Sequence, residues 1–144
     1  MNQPAGTIHY ELKDLATVAD RLIALKDRVA VYTFTGPLGA GKTTLIQEML
    51  QRWGVQAAIT SPTFSIVNIY ANQQGDHFYH FDLYRLQSLE EFIASGFQEY
   101  LYAEKSWALI EWPESIRSLL HSRVCHITLE YESHDARLLH YTLD

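Results

Sequence analysis

Read for apolar and polar positions alone, the chain switches repeatedly between strand-like and helix-like stretches. TIHYEL, from Thr7, predicts a first strand. Asp14 then stands at a helix N-cap position, ahead of Leu15, Val18, Leu22 and Leu25 at spacings of three and four. RVAVYTF is nearly continuous in apolar and β-branched residues, which suits a strand buried on both faces of a parallel sheet. Leu45, Ile46, Met49, Leu50 and Trp53 mark one face of a further helix, with Gly54 as its stop. FSIVNIY and HFYHF predict two strands around the turn-forming ANQQGD. Ser88 and Glu91 form a capping-box pattern that opens a short helix, and Gly96 ends it. SWALI is another buried strand, and Pro113 suits the first turn of the helix after it. Cys125, Ile127, Leu129 and Tyr131 alternate with polar residues, and ARLLHYTL returns antiparallel after ESHD. The alternation predicts an α/β fold: a central, mostly parallel sheet with antiparallel additions and helices on both faces. The order of the strands is left open.

Composition narrows the class. The 144 residues suit one domain, taken as 1–144, with a core but no room for a second one. Apolar content of 47% and charged content of 19% mark a globular chain. The net charge is −6 and no run of five like charges occurs, so the chain is a poor stand-alone nucleic-acid binder. Nucleic acid, if involved, would be held by a partner. The single cysteine, Cys125, excludes an intrachain disulfide and fits a reducing compartment. The first residues lack an apolar signal core. No apolar run exceeds four residues, VAVY and WALI among them, far below a membrane span. A cytoplasmic protein with no membrane partner is expected.

The stretch TGPLGAGKTTL carries the chemistry. Gly36, Gly39, Gly41, Lys42 and Thr43 satisfy the phosphate-loop pattern G-x-x-x-x-G-K-(S or T). Backbone N–H groups at Gly39, Ala40, Gly41, Lys42, Thr43 and Thr44 must approach phosphate oxygens with no Cβ in the way, hence the glycines. The following helix starts at the phosphates and favours their charge. Lys42 reaches the outer phosphates and Thr43 offers a hydroxyl to Mg²⁺. At ordinary residue frequencies a chance match in such a chain arises roughly once in 200 sequences. The strand before and the helix after supply the required context, so a P-loop NTPase-like three-layer fold is expected. No N-K-x-D segment selects guanine, so ATP, with ADP as its product, is the expected nucleotide.

Phosphoryl chemistry also needs an acid at the end of a neighbouring strand to hold Mg²⁺. Glu111, after WALI, and Asp82, after FYHF, compete for that role. The more apolar strand assigns the metal to Glu111 and leaves Asp82 to orient or deprotonate the attacking water, or to hold the metal's water shell. Thr63 in TSPTF is either a γ-phosphate sensor in a mobile loop or part of a plain turn. Arg85 either neutralises transition-state charge or sits in a surface salt bridge. Trp112 is either core or part of the site lining. His77 and His80 lie on opposite faces of a strand, so they cannot chelate one metal together.

GPLGAGKTT, TSPTFSIVNIY, HFDLYRL and ALIEWPE, in that order from Gly36 to Glu114, resemble the blocks of the TsaE family. These are small bacterial P-loop ATPases that support threonylcarbamoyl modification of the adenosine beside the anticodon in tRNA. The resemblance implies ATP hydrolysis in the service of a protein complex. It implies Thr43 and Glu111 as Mg²⁺ ligands and functional roles for Thr63, Asp82, Tyr84 and Arg85. It implies TsaD and TsaB as partners, TsaC as the source of the activated threonylcarbamoyl group, and tRNA met only through the complex. It also matches Arg137 to an arginine that touches nucleotide in relatives. Pro37 stands where the family commonly has an acid, but it lies outside the donor stretch of the loop. Two other readings share the same loop: a small-molecule kinase, for which the acceptor pocket and Arg-rich lid are missing from the pattern, and a module that senses ATP without turnover.

Overall fold

A computed structural model describes residues 5–60, 62 and 66–144. In chain order the strands are β1 (Ala5–Glu11), β2 (Val31–Thr35), β3 (Val67–Ala71), β4 (His77–Asp82), β5 (Ser106–Glu111), β6 (Val124–Tyr131) and β7 (Ala136–Leu143). The α-helices are α1 (Leu15–Ile23), α2 (Lys42–Arg52) and α3 (Leu89–Ala94), joined by 3-10 turns at Leu12–Asp14, Phe97–Tyr100 and Pro113–Leu119. Among the described residues these seven strands form one sheet in the order β1-β7-β6-β2-β5-β4-β3. The inner four, β6-β2-β5-β4, run parallel, while β3 pairs antiparallel with β4, and β7 with both β6 and β1.

The continuous apolar runs become the sheet's centre. Val31, Tyr32, Thr33 and Phe34 of β2 are all at 0% exposure, because β2 has parallel neighbours on both edges and packed layers on both faces. On one face, Val18, Ala19 and Leu22 of α1 and Leu45, Ile46, Met49 and Leu50 of α2 meet Tyr32, Phe34, Leu109 and Ile127. Burying each large side chain there is worth about 1.5–3 kcal/mol. Arg52 ties the two helices with a bidentate pair to Asp20 at 2.6 and 2.8 Å. On the opposite face, Phe92 of α3, Leu101 and Ile116 cover Val31, Phe81, Ala108 and Ile110.

Helices therefore lie on both faces, but the second face is covered over β2, β5 and β4 and, at Val124, only the start of β6. Over β6, β7 and β1 it carries hydrogen-bonded polar side chains: Thr7 with His140, His140 with Glu130, and His9 with Glu132. This explains the alternation of β6, whose Cys125, Ile127 and Leu129 point into the first core. Tyr131, the last of that alternating set, is 57% exposed because it lies beyond the helices.

The local details differ from the sequence expectations at several ends. The first strand begins at Ala5 and stops at Glu11, so Leu12 falls in a 3-10 turn. Asp14 is the α1 N-cap residue, yet its side chain makes no capping bond, because that turn already delivers the chain to the helix with Asp14 near φ −100° and ψ 13°. Ser88 Oγ accepts from Glu91 N at 3.2 Å, while Glu91 Oε2 accepts from Gln87 N at 2.9 Å, one residue before the usual capping-box donor. Pro113 opens a 3-10 segment rather than an α-helix, entered through a left-handed Trp112. Phe64 and Ser65 of FSIVNIY lie outside the described residues. Among the described residues, no helix is long and apolar enough to cross a membrane.

Candidate functional site

The loop from Gly36 to Gly41 joins β2 to α2 at the carboxyl ends of the parallel strands, where open α/β sheets form their ligand crevices. Its first glycine answers to packing. A Cβ on Gly36 would stand 2.5 Å from the backbone oxygen of Leu129 on β6, and its φ of +144° disfavours any other residue. At Gly41 a φ of 102° turns the chain into α2, whose first N–H groups have no partner within the helix.

Lys42 is almost wholly buried, with 5% of its surface exposed. Its ammonium donates to the Gly36 and Pro37 carbonyls and sits 3.6 Å from the centre of the Trp112 ring. Burial pulls the Lys42 ammonium below the usual lysine range, while Glu111, Asp82 and Glu114 act in the opposite sense. The lysine is thus parked on its own loop, held by weak neutral acceptors that a phosphate oxygen would outcompete.

Thr43 Oγ1 lies 2.8 and 3.0 Å from the two carboxylate oxygens of Glu111, and Glu111 is 2% exposed. Register explains the meeting with Asp82: the two acids are direct partners at the ends of β4 and β5. Asp82 Oδ1 accepts from Tyr84 N at 3.1 Å. Burial raises the Asp82 carboxyl above its usual range; the Tyr84 N–H opposes this and the Glu111 charge adds to it. Behind Glu111, His80 Nε2 lies 2.7 Å from its Oε2. Trp112 follows in the left-handed region at φ 59°, a conformation that costs a bulky residue about 1–3 kcal/mol. Its ring packs 5.1 Å from Tyr84.

These elements enclose a cavity of about 600 Å³. Gly39, Gly41, Lys42, Thr43, Thr44, Asp82, Tyr84, Arg85, Glu111 and Trp112 all line it, together with Leu38, Pro62, Ile66 and Glu91. The volume is in the range of small-ligand sites. The hydroxyl of Thr43 and the carboxylate of Glu111 are hard oxygen donors brought together at its wall, a set that suits Mg²⁺. Among the described residues, no group of three or more His, Cys, Asp or Glu side chains is arranged to hold a metal ion by itself.

The family model described as "Threonylcarbamoyl adenosine biosynthesis protein TsaE" matches residues 10–139. The chain belongs to the TsaE family. It is 40% identical to the tRNA threonylcarbamoyladenosine biosynthesis protein TsaE of Haemophilus influenzae over 120 residues, covering 83% of this chain and 74% of that one. The protein of the same name from Treponema pallidum is 37% identical over 113 residues, 78% of this chain and 79% of that one. The crystal structure of YdiB from Bacillus subtilis aligns over 99% of this chain and 88% of its own, with a TM-score of 0.69 and 24% identity. That likeness concerns the fold.

Not every expected TsaE-family site residue lies in the cavity wall. Gly36 and Ala40 lie behind the wall, as packing and backbone of the loop. Arg137, 8% exposed, does not line the cavity. It supports the loop from the β6–β7 side: Nε donates to Ala40 O at 3.1 Å, Nη1 donates to Ser133 O at 2.8 Å and Ala136 O at 2.9 Å, and the guanidinium stacks on Tyr131. Thr63 lies outside the described residues. Arg85 is exposed at the cavity edge. Trp112 belongs to the lining rather than the core alone. Leu38, Pro62 and Ile66 line the cavity without having been singled out in the sequence, and two polar contributions escaped it as well. Glu91 lines the cavity as well as the capping box. His80 was weighed only against His77; its alternation with Asp82 was the available signal that both face the same way.

Proposed function

We propose that this chain is a Mg²⁺-dependent ATPase that supports tRNA threonylcarbamoyladenosine formation by acting on a TsaB–TsaD complex, with TsaC upstream and tRNA reached only through that complex. The observation that carries the proposal is the contact between Thr43 and both oxygens of Glu111 at the wall of a cavity built on the phosphate loop. The family match supports the pathway.

The work is divided among the chain's own residues. The loop's N–H groups and the start of α2 receive the phosphates. Lys42 leaves its parking carbonyls for the outer phosphates. Thr43 and Glu111 would hold the magnesium ion, which supplies charge compensation to the phosphates. Asp82, at the same wall and with its carboxyl raised by burial, orients water or accepts its proton. Tyr84 and Arg85 are exposed at the edge, where a partner can cover and order them. Ordering a cation against transferring phosphate is worth around 10³–10⁵ in rate, so slow turnover alone and faster turnover with partners is expected.

Phosphate release from the purified chain, with and without the TsaB–TsaD pair from the same source, tests this. Stimulation by the pair, lost in Arg85→Ala and Thr63→Ala with nucleotide binding kept, supports the proposal. A fast isolated chain indifferent to the pair would favour the small-molecule kinase, and no turnover in either condition would leave an ATP-sensing module.

A further inference from the structure

We propose that His80 is a positioning residue that aims the Glu111 carboxylate at the metal position; this rests on the Mg²⁺ site proposed above. His80 lies on β4 opposite Leu109 of β5, one alternation before the Asp82–Glu111 pair, so its ring stands on the same face of the sheet as the carboxylate. Its exposure is 0%, and Nε2 is 2.7 Å from Glu111 Oε2. The other ring nitrogen, Nδ1, is buried and has no hydrogen-bond partner among the described residues.

That unpartnered nitrogen decides the tautomer. A proton on Nδ1 would leave a buried N–H donor without an acceptor and take away the hydrogen from the 2.7 Å contact. With the proton on Nε2, the ring donates to Glu111 and leaves only a lone pair unused. The carboxylate then has one oxygen, Oε2, held by His80 at 2.7 Å and shared at 3.0 Å with the Thr43 hydroxyl, while Oε1 meets that hydroxyl alone, at 2.8 Å. A terminal carboxylate torsion is broad by itself. Here His80 holds Oε2 from behind, which keeps Oε1 turned toward Thr43 Oγ1. The ring has no cavity contact and does no chemistry on the phosphates; it acts through Glu111.

Partners of this kind typically change metal affinity by about 10–100-fold when lost. The test is the binding of a fluorescent ADP analogue, titrated first in EDTA and then against rising Mg²⁺. In His80→Leu the Mg²⁺ concentration for half-maximal tightening should rise about 10–100-fold while the metal-free affinity stays near wild type. His80→Gln, whose amide N–H reaches the Nε2 position, should recover most of the loss. A purely structural histidine would give the opposite pattern: equal Mg²⁺ response in all three proteins, with both variants only less heat-stable. That pattern overturns the inference. If wild type itself shows no Mg²⁺ tightening, the proposed metal site fails first. Should His80→Leu not fold, nitrogen-15 NMR of the wild-type imidazole decides: a proton on Nε2 alone is expected, and a proton on Nδ1 refutes the assignment.

Discussion

Two glycines of the same loop should fail in different ways when replaced by alanine. At Gly36 the new Cβ would lie 2.5 Å from the Leu129 carbonyl oxygen, a backbone atom of a residue with 0% exposure in the middle of β6. Neither side can move aside cheaply, so overpacking costs about 1–3 kcal/mol. The φ of +144° adds strain of about 1–3 kcal/mol. The total, about 2–6 kcal/mol, compares with a whole stability of about 5–15 kcal/mol. At Gly39 a Cβ meets nothing within 4 Å among the described residues, so only the strain from its φ of +81° remains. For a chain of this size about 3 °C accompanies each kcal/mol. Gly36→Ala should therefore lower the melting temperature by roughly 6–18 °C, and Gly39→Ala by about 3–9 °C. Affinity should rank the other way. Gly39 lines the cavity and Gly36 does not, so Gly39→Ala should weaken ATP binding by about tenfold or more through one lost charge-assisted bond. The assay is thermal melting without nucleotide, followed by calorimetric titration with ATP below both transitions. A Gly36→Ala protein no less stable than Gly39→Ala would refute the packing argument.

Lys42→Ala should weaken ATP binding by about 10–100-fold, the loss of one charge-assisted phosphate contact, yet leave the nucleotide-free melting temperature nearly unchanged because burial disfavours the charge it removes; a large melting loss would count against that reasoning. Asp82 has a folded-state affinity for its proton above the unfolded value, so the folded protein gives up stability as pH rises from the ordinary Asp range through the raised one. Asp82→Asn should accordingly raise the melting temperature at pH 7, flatten that pH dependence and lower turnover; a less stable variant at pH 7 speaks against it. Arg137→Ala removes the guanidinium that bonds the Ala40, Ser133 and Ala136 carbonyls and should cost about 2–4 kcal/mol in denaturant unfolding, whereas less than about 0.5 kcal/mol would deny it a role in holding the loop.

The phosphate loop, the flanking β2 and α2 and the acids at two strand ends were legible because each is local: a motif, a 3.6-residue period or an apolar run closed by a charge. The sheet order was not, since pairing β2 with both β5 and β6 depends on contacts far apart in the chain. That order puts His80 beside Glu111 and Arg137 beneath Ala40, and neither neighbour can be read from spacing. Arg137 illustrates the limit. Its resemblance to a nucleotide-touching arginine identified a position of consequence, while the hydrogen bonds here place its guanidinium on the loop's backbone. Helices on both faces were legible, but not which strands they leave open. Polar alternation in β6 and β7 marks the stretch of the second face that meets water.

The cavity divides into a buried half and an exposed half, and the division bears on the proposed gating. Lys42 and Glu111 are at 5% and 2% exposure, with His80 closed off behind them. Leu38 and Tyr84, on the same cavity, are at 71% and 59%, and Arg85 is exposed beside them. The buried half can be organised by the chain alone, because packing and hydrogen bonds already fix it. The exposed half has an apolar loop tip, a tyrosine and an arginine that no hydrogen bond or ion pair among the described residues holds. A partner covering Leu38 and Tyr84 would exclude water from the phosphates and strengthen every charge interaction there, since those interactions grow as the surrounding dielectric falls. On the proposed function, then, binding should depend mainly on the buried half and stimulation on the exposed half. Leu38→Ser is the cleanest probe of that split: metal-dependent nucleotide binding should be close to wild type while stimulation by the partner pair drops. Equal loss of both would show that the two halves act as one.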